Sequence, residues 1–340
     1  MILKEISMTY GKQMIIEKCD LQIAESEIFV LMGPSGSGKS TLLKGIAGLV
    51  PLAAGTISWK NGKGTTGLVF QEPRLFPHMT VIENLTFGLR AKGIPVKERT
   101  MRAQEYLKIL QLEGLGNRYP HQLSGGQQQR VSLGRVLVMK PDLLLLDEPF
   151  SSLDTPLRKQ LTEWMYQLQR KQGFSILWVT HYIDEAYSVA DRVGVMMDGE
   201  ILQTGKPLDF YHAPASENIA AFFSLTNRFH LQSWQQWFQS SLYTYETKEM
   251  GWIQANALKI RTKCNHAETI KTVDQNDPDI VWREGIVTRV KHEPKGNIVL
   301  IEAAGITLAV ELAVWDGLPN IQDHIEVGVP PNKIIWYPSG

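Results

Sequence analysis

Residues 33 to 41 read Gly33-Pro34-Ser35-Gly36-Ser37-Gly38-Lys39-Ser40-Thr41, which fits the phosphate-loop spacing G-x-x-x-x-G-K-S/T. Glycines let successive backbone N–H groups turn toward one anion, and a helix starting there adds the positive end of its dipole. Lys39 is placed to reach the β- and γ-phosphates of a nucleotide, and the Ser40 hydroxyl to ligate Mg²⁺. Further along, polar side chains stand where short apolar runs stop. Gln71 follows Gly67-Leu68-Val69-Phe70. Asp147 and Glu148 follow four leucines, Leu143 to Leu146, and His181 follows the run from Ser175 to Thr180. In an α/β sheet, ligands bind beyond the carboxyl ends of the strands, so all of these positions are expected at one edge. There Asp147 would hold Mg²⁺, directly or through water, and Glu148 would polarise a water for attack on the γ-phosphate. Gln71 would touch the metal or that water, and His181 would contact the γ-phosphate and sense its loss.

The elements that must carry these groups are legible around them. Ile28 to Met32 is an apolar run of strand length, and Leu42, Leu43, Ile46 and Leu49 recur at helical spacing, with Gly48 near the helix end. Residues 1 to 30 alternate as antiparallel strands around a turn at Tyr10-Gly11-Lys12. Tyr10 there either packs on its own hairpin or stacks on an adenine ring. Residues 55 to 59 read as a strand, and Asn61-Gly62 and Asp198-Gly199 carry hairpin-turn signals. Residues 76 to 140 are predicted mostly helical, with an amphipathic stretch from Met101 to Leu112. Within that segment Ser124 is a good helix N-cap, and Gly125 and Gly126, ahead of Gln127, expose backbone N–H groups at a helix start. Gly134, inside the helix that follows, costs about 1 kcal/mol of propensity. Ser151-Ser152-Leu153-Asp154 leads into another amphipathic helix bearing Leu157, Leu161, Trp164, Met165 and Leu168.

Bulk composition narrows the partners. The chain has 340 residues, enough for two domains, and its 35 Lys+Arg against 35 Asp+Glu leave no net field to attract nucleic acid, so no nucleic-acid partner is expected. Its two cysteines, Cys19 and Cys264, suit a reducing compartment and form no disulfide framework. Cys264 and His266, with no further partners, do not make a metal site. The N-terminus enters a strand pattern directly, with no signal peptide expected, and the apolar runs fall short of a membrane span. If the protein works at a membrane, other chains do the spanning.

The ordered set of GPSGSGKST, Gln71, Leu123-Ser124-Gly125-Gly126-Gln127, the Leu143–Pro149 segment, Ser151 to Asp154 and His181 resembles the ATP-binding subunits of ABC transporters. The resemblance covers residues 1 to 225 and implies an α/β phosphate-loop ATPase domain with a helical subdomain at about 76 to 140. It implies Tyr10 as the adenine-stacking aromatic, Gly33 to Thr41 as the ATP-binding loop, and Ser40, Gln71 and Asp147 as Mg²⁺ groups. Glu148 would be the catalytic base and His181 the γ-phosphate switch. Ser124 to Gln127 would act in trans on the ATP of a second copy, making a head-to-tail homodimer, with Asp154 helping to couple the two sites. The stretch from Leu75 to Asn84 is similar to the importer branch. That implies a permease partner, an indirect solute-binding protein and a place on the cytoplasmic face of the membrane. An inorganic oxyanion such as molybdate or sulfate is the expected cargo on the resemblance alone, with ferric iron, polyamine or sugar as alternatives. Exporter ATPases and soluble cassette ATPases are the rival classes.

Beyond Phe229 the pattern changes. Residues 283–291, 297–302, 306–311 and 324–327 read as short strands with turns between, which predicts a small all-β barrel. The layout resembles the OB-like (TOBE-like) regulatory domain appended to importer subunits, giving a second domain at 226 to 340. Residues 230 to 280 have no clear pattern.

Overall fold

In the computed structural model, residues 12, 61, 224–226, 231–247, 254–256, 263–279, 294–295, 313–317, 331–333 and 339–340 lie outside the described part of the chain. The chain divides into two units, Met1–Asp209 and Phe210–Gly340. Residues 224–226, at the expected domain boundary, are not among those described, and neither are Lys12, Asn61, Cys264 and His266.

The first unit begins with β1 (Ile2–Tyr10) and β2 (Gln13–Gln22), an antiparallel pair whose register ends with Tyr10 opposite Gln13. They are followed by β3 (Ile28–Met32) and helix α1 (Lys39–Ile46). Next come β4 (Ala54–Ser58), β5 (Thr66–Val69), α2 (Val81–Ala91), α3 (Val96–Ile109) and α4 (Gly125–Leu137). Then β6 (Leu143–Asp147), α5 (Thr155–Gln172), β7 (Ser175–Val179) and α6 (Ile183–Val189) alternate. The hairpin of β8 (Arg192–Met197) and β9 (Glu200–Gly205) is followed by α7 (Pro207–His212), which runs across the division between the units.

Six strands form one sheet in the order β5-β6-β7-β3-β8-β9, parallel except for the edge strand β9. Strands β3, β6 and β7 are buried over nearly their whole length, as their unbroken apolar sequences require in a sheet covered on both faces. β1, β2 and β4 form a separate antiparallel sheet, and α1 packs between the two. Leu42, Leu43 and Ile46 share one core with Leu3, Ile6, Met8, Phe29 and Leu145. Leu49 falls past the helix end and is exposed, so the apolar face is one turn shorter than the spacing implies.

The hairpin expected at Asn61-Gly62 falls partly outside the described residues; the strands on either side of it do not pair with each other, since β4 pairs with β1 in one sheet and β5 with β6 in the other. The Asp198-Gly199 hairpin does form, with both residues at positive φ as a type I′ turn needs. In the helical stretch, α3 starts at Val96 and buries Ala103, Tyr106 and Leu107, while Met101 faces solvent.

The second unit holds the short helix α8 (Glu217–Phe222) and an all-antiparallel, OB-like set of strands. These are β10 (Asn227–His230), β11 (Lys248–Ile253), β12 (Lys259–Thr262), β13 (Val281–Glu293), β14 (Gly296–Ala303), β15 (Ile306–Leu312), β16 (His324–Val329) and β17 (Ile335–Pro338). β12-β16-β13-β14-β15 make one sheet and β10-β11-β17 another. Alternate residues of β14 and β15, Val299, Ile301, Leu308 and Val310 among them, build the core. The four strands expected from alternation are β13 to β16. β10, β11, β12 and β17 had no sequence signal of their own.

Candidate nucleotide site

The sheet order puts the predicted chemistry side by side. Because β5, β6, β7 and β3 run parallel and adjacent, Gln71, then Asp147 and Glu148, then His181, then the phosphate loop leave the same edge in sequence across the sheet. The loop itself is shaped by glycine. Gly33, Gly36 and Gly38 all have positive φ, and a Cβ on Gly33 would stand 1.9 Å from the Met196 carbonyl oxygen. Gly38 is the left-handed N-cap of α1, so the first free N–H groups of that helix open into the loop. The β1–β2 hairpin backs this loop, with Ile16 Cγ1 3.3 Å from where a Gly38 Cβ would be. Tyr10, at the hairpin tip, is 82% exposed, so it is not packed on its own hairpin.

Lys39 is buried, and its ammonium donates to the carbonyls of Gly33 (2.9 Å) and Pro34 (2.7 Å) and to Ser37 Oγ (3.2 Å). Burial lowers its pKa, while Glu148 and Asp147 favour the charged form. The Ser40 hydroxyl donates to Asp147 Oδ1 at 2.8 Å. Burial raises the Asp147 pKa, the Ser40 hydrogen bond opposes that, and the neighbouring Glu148 adds to it. A hydroxyl and a carboxylate held together at the end of a phosphate loop form a hard oxygen donor pair that fits Mg²⁺, an ion that takes few protein ligands and completes its shell with phosphate and water. Among the described residues, no group of three or more His, Cys, Asp or Glu is placed to hold a metal ion by itself.

Glu148 leaves the strand in the left-handed region, φ 46°, with its N–H donating to the Val179 carbonyl at 3.0 Å. That turn swings the side chain toward β7, where Glu148 Oε2 lies 3.1 Å from His181 Nδ1. A carboxylate and an imidazole joined in this way, beside a phosphate loop, can orient a water and hold its proton. Gln71 is exposed at the β5 end of the edge.

Ser124 to Gln127 stand elsewhere. They form the start of α4, where Ser124 Oγ accepts from Gln127 N at 3.4 Å and Gln127 Oε1 accepts from Ser124 N at 3.0 Å, a capping box. This turn packs on the start of α5, as Leu153 and Leu157 lie where Cβ atoms on Gly125 and Gly126 would point. Asp154 caps α5 by accepting from Leu157 N at 2.9 Å. Among the described residues, no hydrogen bond joins Ser124–Gln127 to the loop, the Asp147–Glu148 pair or His181.

The groups that hold the site's loops belong to no motif in the sequence. Asn84 on α2 is fully buried and hydrogen-bonds residues 76–80 on both sides of its amide. Arg135 on α4 donates to the carbonyls of Arg74 (2.9 Å) and Pro73 (3.4 Å) and lies over the Phe76 ring, so it clamps the segment after Gln71. Thr180, Glu185 and Arg158 join behind His181. The signal that could have found them is a polar residue on an otherwise apolar helix face, visible at Asn84 between Val81 and Leu85 and at Glu185 beside Ala186 and Val189.

A parallel sheet with this loop, this hydroxyl–carboxylate pair and this carboxylate–imidazole pair on one edge defines a phosphate-loop nucleotide-binding protein. The chain belongs, more narrowly, to the ABC transporter family, which matches over residues 16–151. It is 42% identical over 226 residues to the Fe(3+) ions import ATP-binding protein FbpC of Fusobacterium nucleatum, covering 64% of this chain and 61% of that protein. It is 44% identical over 236 residues to the spermidine/putrescine import ATP-binding protein PotA of Salmonella typhimurium, covering 67% and 62%. With the sulfate/thiosulfate import ATP-binding protein CysA of Thermosynechococcus vestitus it shares 42% over 243 residues, covering 69% and 72%. Among solved structures, a dimeric post-hydrolysis state of the ATP-binding cassette MJ0796 bound to ADP and Pi superposes with a TM-score of 0.55 at 34% identity, over 61% of this chain and 98% of that one.

Proposed function

We propose that this chain is the ATP-hydrolysing subunit of an ABC import system. The carrying observation is the contact of Glu148 Oε2 with His181 Nδ1 at 3.1 Å, beside the Ser40–Asp147 pair and the glycine loop. The loop N–H groups and Lys39 bind the phosphates of ATP, and the Tyr10 ring stacks on the adenine. Ser40, Asp147 and Gln71 would hold Mg²⁺, which would supply positive charge to offset that of the phosphates. Glu148 orients a water in line with the γ-phosphate and takes its proton, and His181 fixes the Glu148 carboxylate and contacts the γ-phosphate.

The separation of Ser124–Gln127 from these groups supports a site completed by a second copy. The helix start at Ser124 would then offer its N–H groups to the partner's nucleotide, with Asp154 at the same seam. Among the described residues no helix is long and apolar enough to cross a membrane. The relatives above are named as import ATP-binding proteins, which supports a peripheral place on the cytoplasmic face against a membrane permease fed by a solute-binding protein. The same relatives are named for iron, polyamine and sulfate. That range supports an oxyanion and, equally, the other small solutes as cargo, chosen by other chains. The antiparallel strands of the second unit are the regulatory domain of this reading.

The test is ATP-dependent association of the Glu148→Gln variant, followed by size exclusion with and without ATP–Mg²⁺. A dimer formed only with ATP is expected. A variant that hydrolyses ATP at the unaltered rate would overturn Glu148 as base and this reading with it.

A further inference from the structure

Behind His181 lies a carboxylate to which the mechanism above gives no part. Glu185, on α6, is 7% exposed. Its Oε2 accepts from Thr180 Oγ1 at 2.6 Å, and the same Thr180 oxygen accepts from the Tyr182 N–H at 3.1 Å. These two bonds bracket His181, whose ring lies against that of Tyr182 with centroids 4.1 Å apart. The other carboxylate oxygen, Oε1, makes no hydrogen bond. Arg158 Nε on α5 stands 3.7 Å from it, and the Arg158 guanidinium sits over the Tyr182 ring at 3.9 Å. Burial pushes the Glu185 pKa up, and Thr180 and Arg158 pull it back. A buried carboxylate with one short hydrogen bond and one incompletely answered oxygen is costly for stability alone.

We propose that Glu185 is a positioning residue for His181: through Thr180 it sets the turn that aims Nδ1 at Glu148, and through Arg158 it ties that turn to the start of α5. Arg158 lies one helical turn beyond Asp154, its N–H donating to the Asp154 carbonyl at 2.9 Å. The seam assigned to the second copy and the imidazole of the chain's own site are thus joined through three side chains, Arg158, Glu185 and Thr180, so that movement of one shifts the other. This inference rests on the ATPase reading above.

The test uses the full chain and steady-state ATP hydrolysis, with single turnovers where rates are low. Thr180→Val keeps the shape of the side chain and removes the hydroxyl, while Thr180→Ser keeps the hydroxyl. The expectation is that Thr180→Val and Glu185→Ala lower kcat about tenfold or more, as small misplacements of catalytic groups do, with KM for ATP within about twofold. Thr180→Ser is expected to retain kcat. In a His181→Ala background, neither Thr180→Val nor Glu185→Ala is expected to lower the rate further, because the effect passes through the imidazole. Unchanged kcat in Thr180→Val, or losses that add fully to that of His181→Ala, would overturn the proposal. Absence of ATP hydrolysis by the unaltered chain would instead count against the ATPase reading, and so separates the two failures.

Discussion

Asn84 offers a test of how the fold holds the segment between Gln71 and α2. Its Oδ1 accepts from Phe76 N at 2.9 Å, and its Nδ2 donates to the carbonyls of Phe76 (3.2 Å), Met79 (3.0 Å) and Thr80 (3.0 Å). Replacement by alanine does not orphan all four groups. The Phe76 carbonyl keeps the Met79 N–H, and the Thr80 carbonyl keeps the Asn84 N–H of its own helix. The Phe76 N–H and the Met79 carbonyl lose the partner that the side chain gave them. At about 1–3 kcal/mol for each buried group left unpaired, Asn84→Ala should destabilise the first unit by about 3 kcal/mol. For a unit of this size that is a fall in Tm of about 6–12 °C. Asn84→Asp should be worse, since it keeps the acceptor for Phe76 N–H but turns a carboxylate oxygen toward three carbonyls. Thermal unfolding measures the sum, and hydrogen exchange at residues 73–80 measures where it falls. A melting point within about 1 °C of the unaltered chain would refute the reasoning, because the freed groups would then be satisfied by water at no cost.

Gly134→Ala separates local propensity from packing. Propensity favours alanine by about 1 kcal/mol. The new Cβ would however lie 2.3 Å from Leu110 Cδ1 and 2.7 Å from Leu85 Cδ2, both fully buried, and overpacking of this kind costs about 1–3 kcal/mol. The variant should melt lower, and a higher Tm would show that the two leucines can move aside. At acid pH, the Thr80 backbone N–H and hydroxyl hold the Glu83 carboxyl below its ordinary pKa. The stability from this cap is therefore full above the ordinary glutamate value and lost as pH falls through the lower folded one. Glu83→Gln should flatten the dependence of Tm on pH between about pH 5 and pH 3.

The residues that make the candidate site were readable because each is tied to its neighbours by local rules. A glycine loop between an apolar strand and a helix, or a carboxylate pair after four leucines, states both its conformation and its place at a strand end. The strands β13 to β16 were readable through alternation alone, since one face of each is buried. Asn61-Gly62 shows where that logic stops. The dipeptide carries a turn signal, but which strands pair is decided by partners far along the chain, and β4 and β5 went to different sheets.

What the sequence determined by itself was the kind of chemistry and the edge on which it is arrayed, because both follow from short-range patterns of residue type. Only the tertiary structure decided which groups touch. That Glu148 meets His181, that Ser124–Gln127 keep company with Asp154 and not with Lys39, and that Gly134 is needed despite its propensity all depend on contacts between elements distant in sequence. The same holds for Asn84, Arg135 and Glu185. Their residue types are unremarkable in a helix, and their roles come from the carbonyls, rings and hydroxyls that other segments bring to them. Burial then makes each of those contacts expensive to lose.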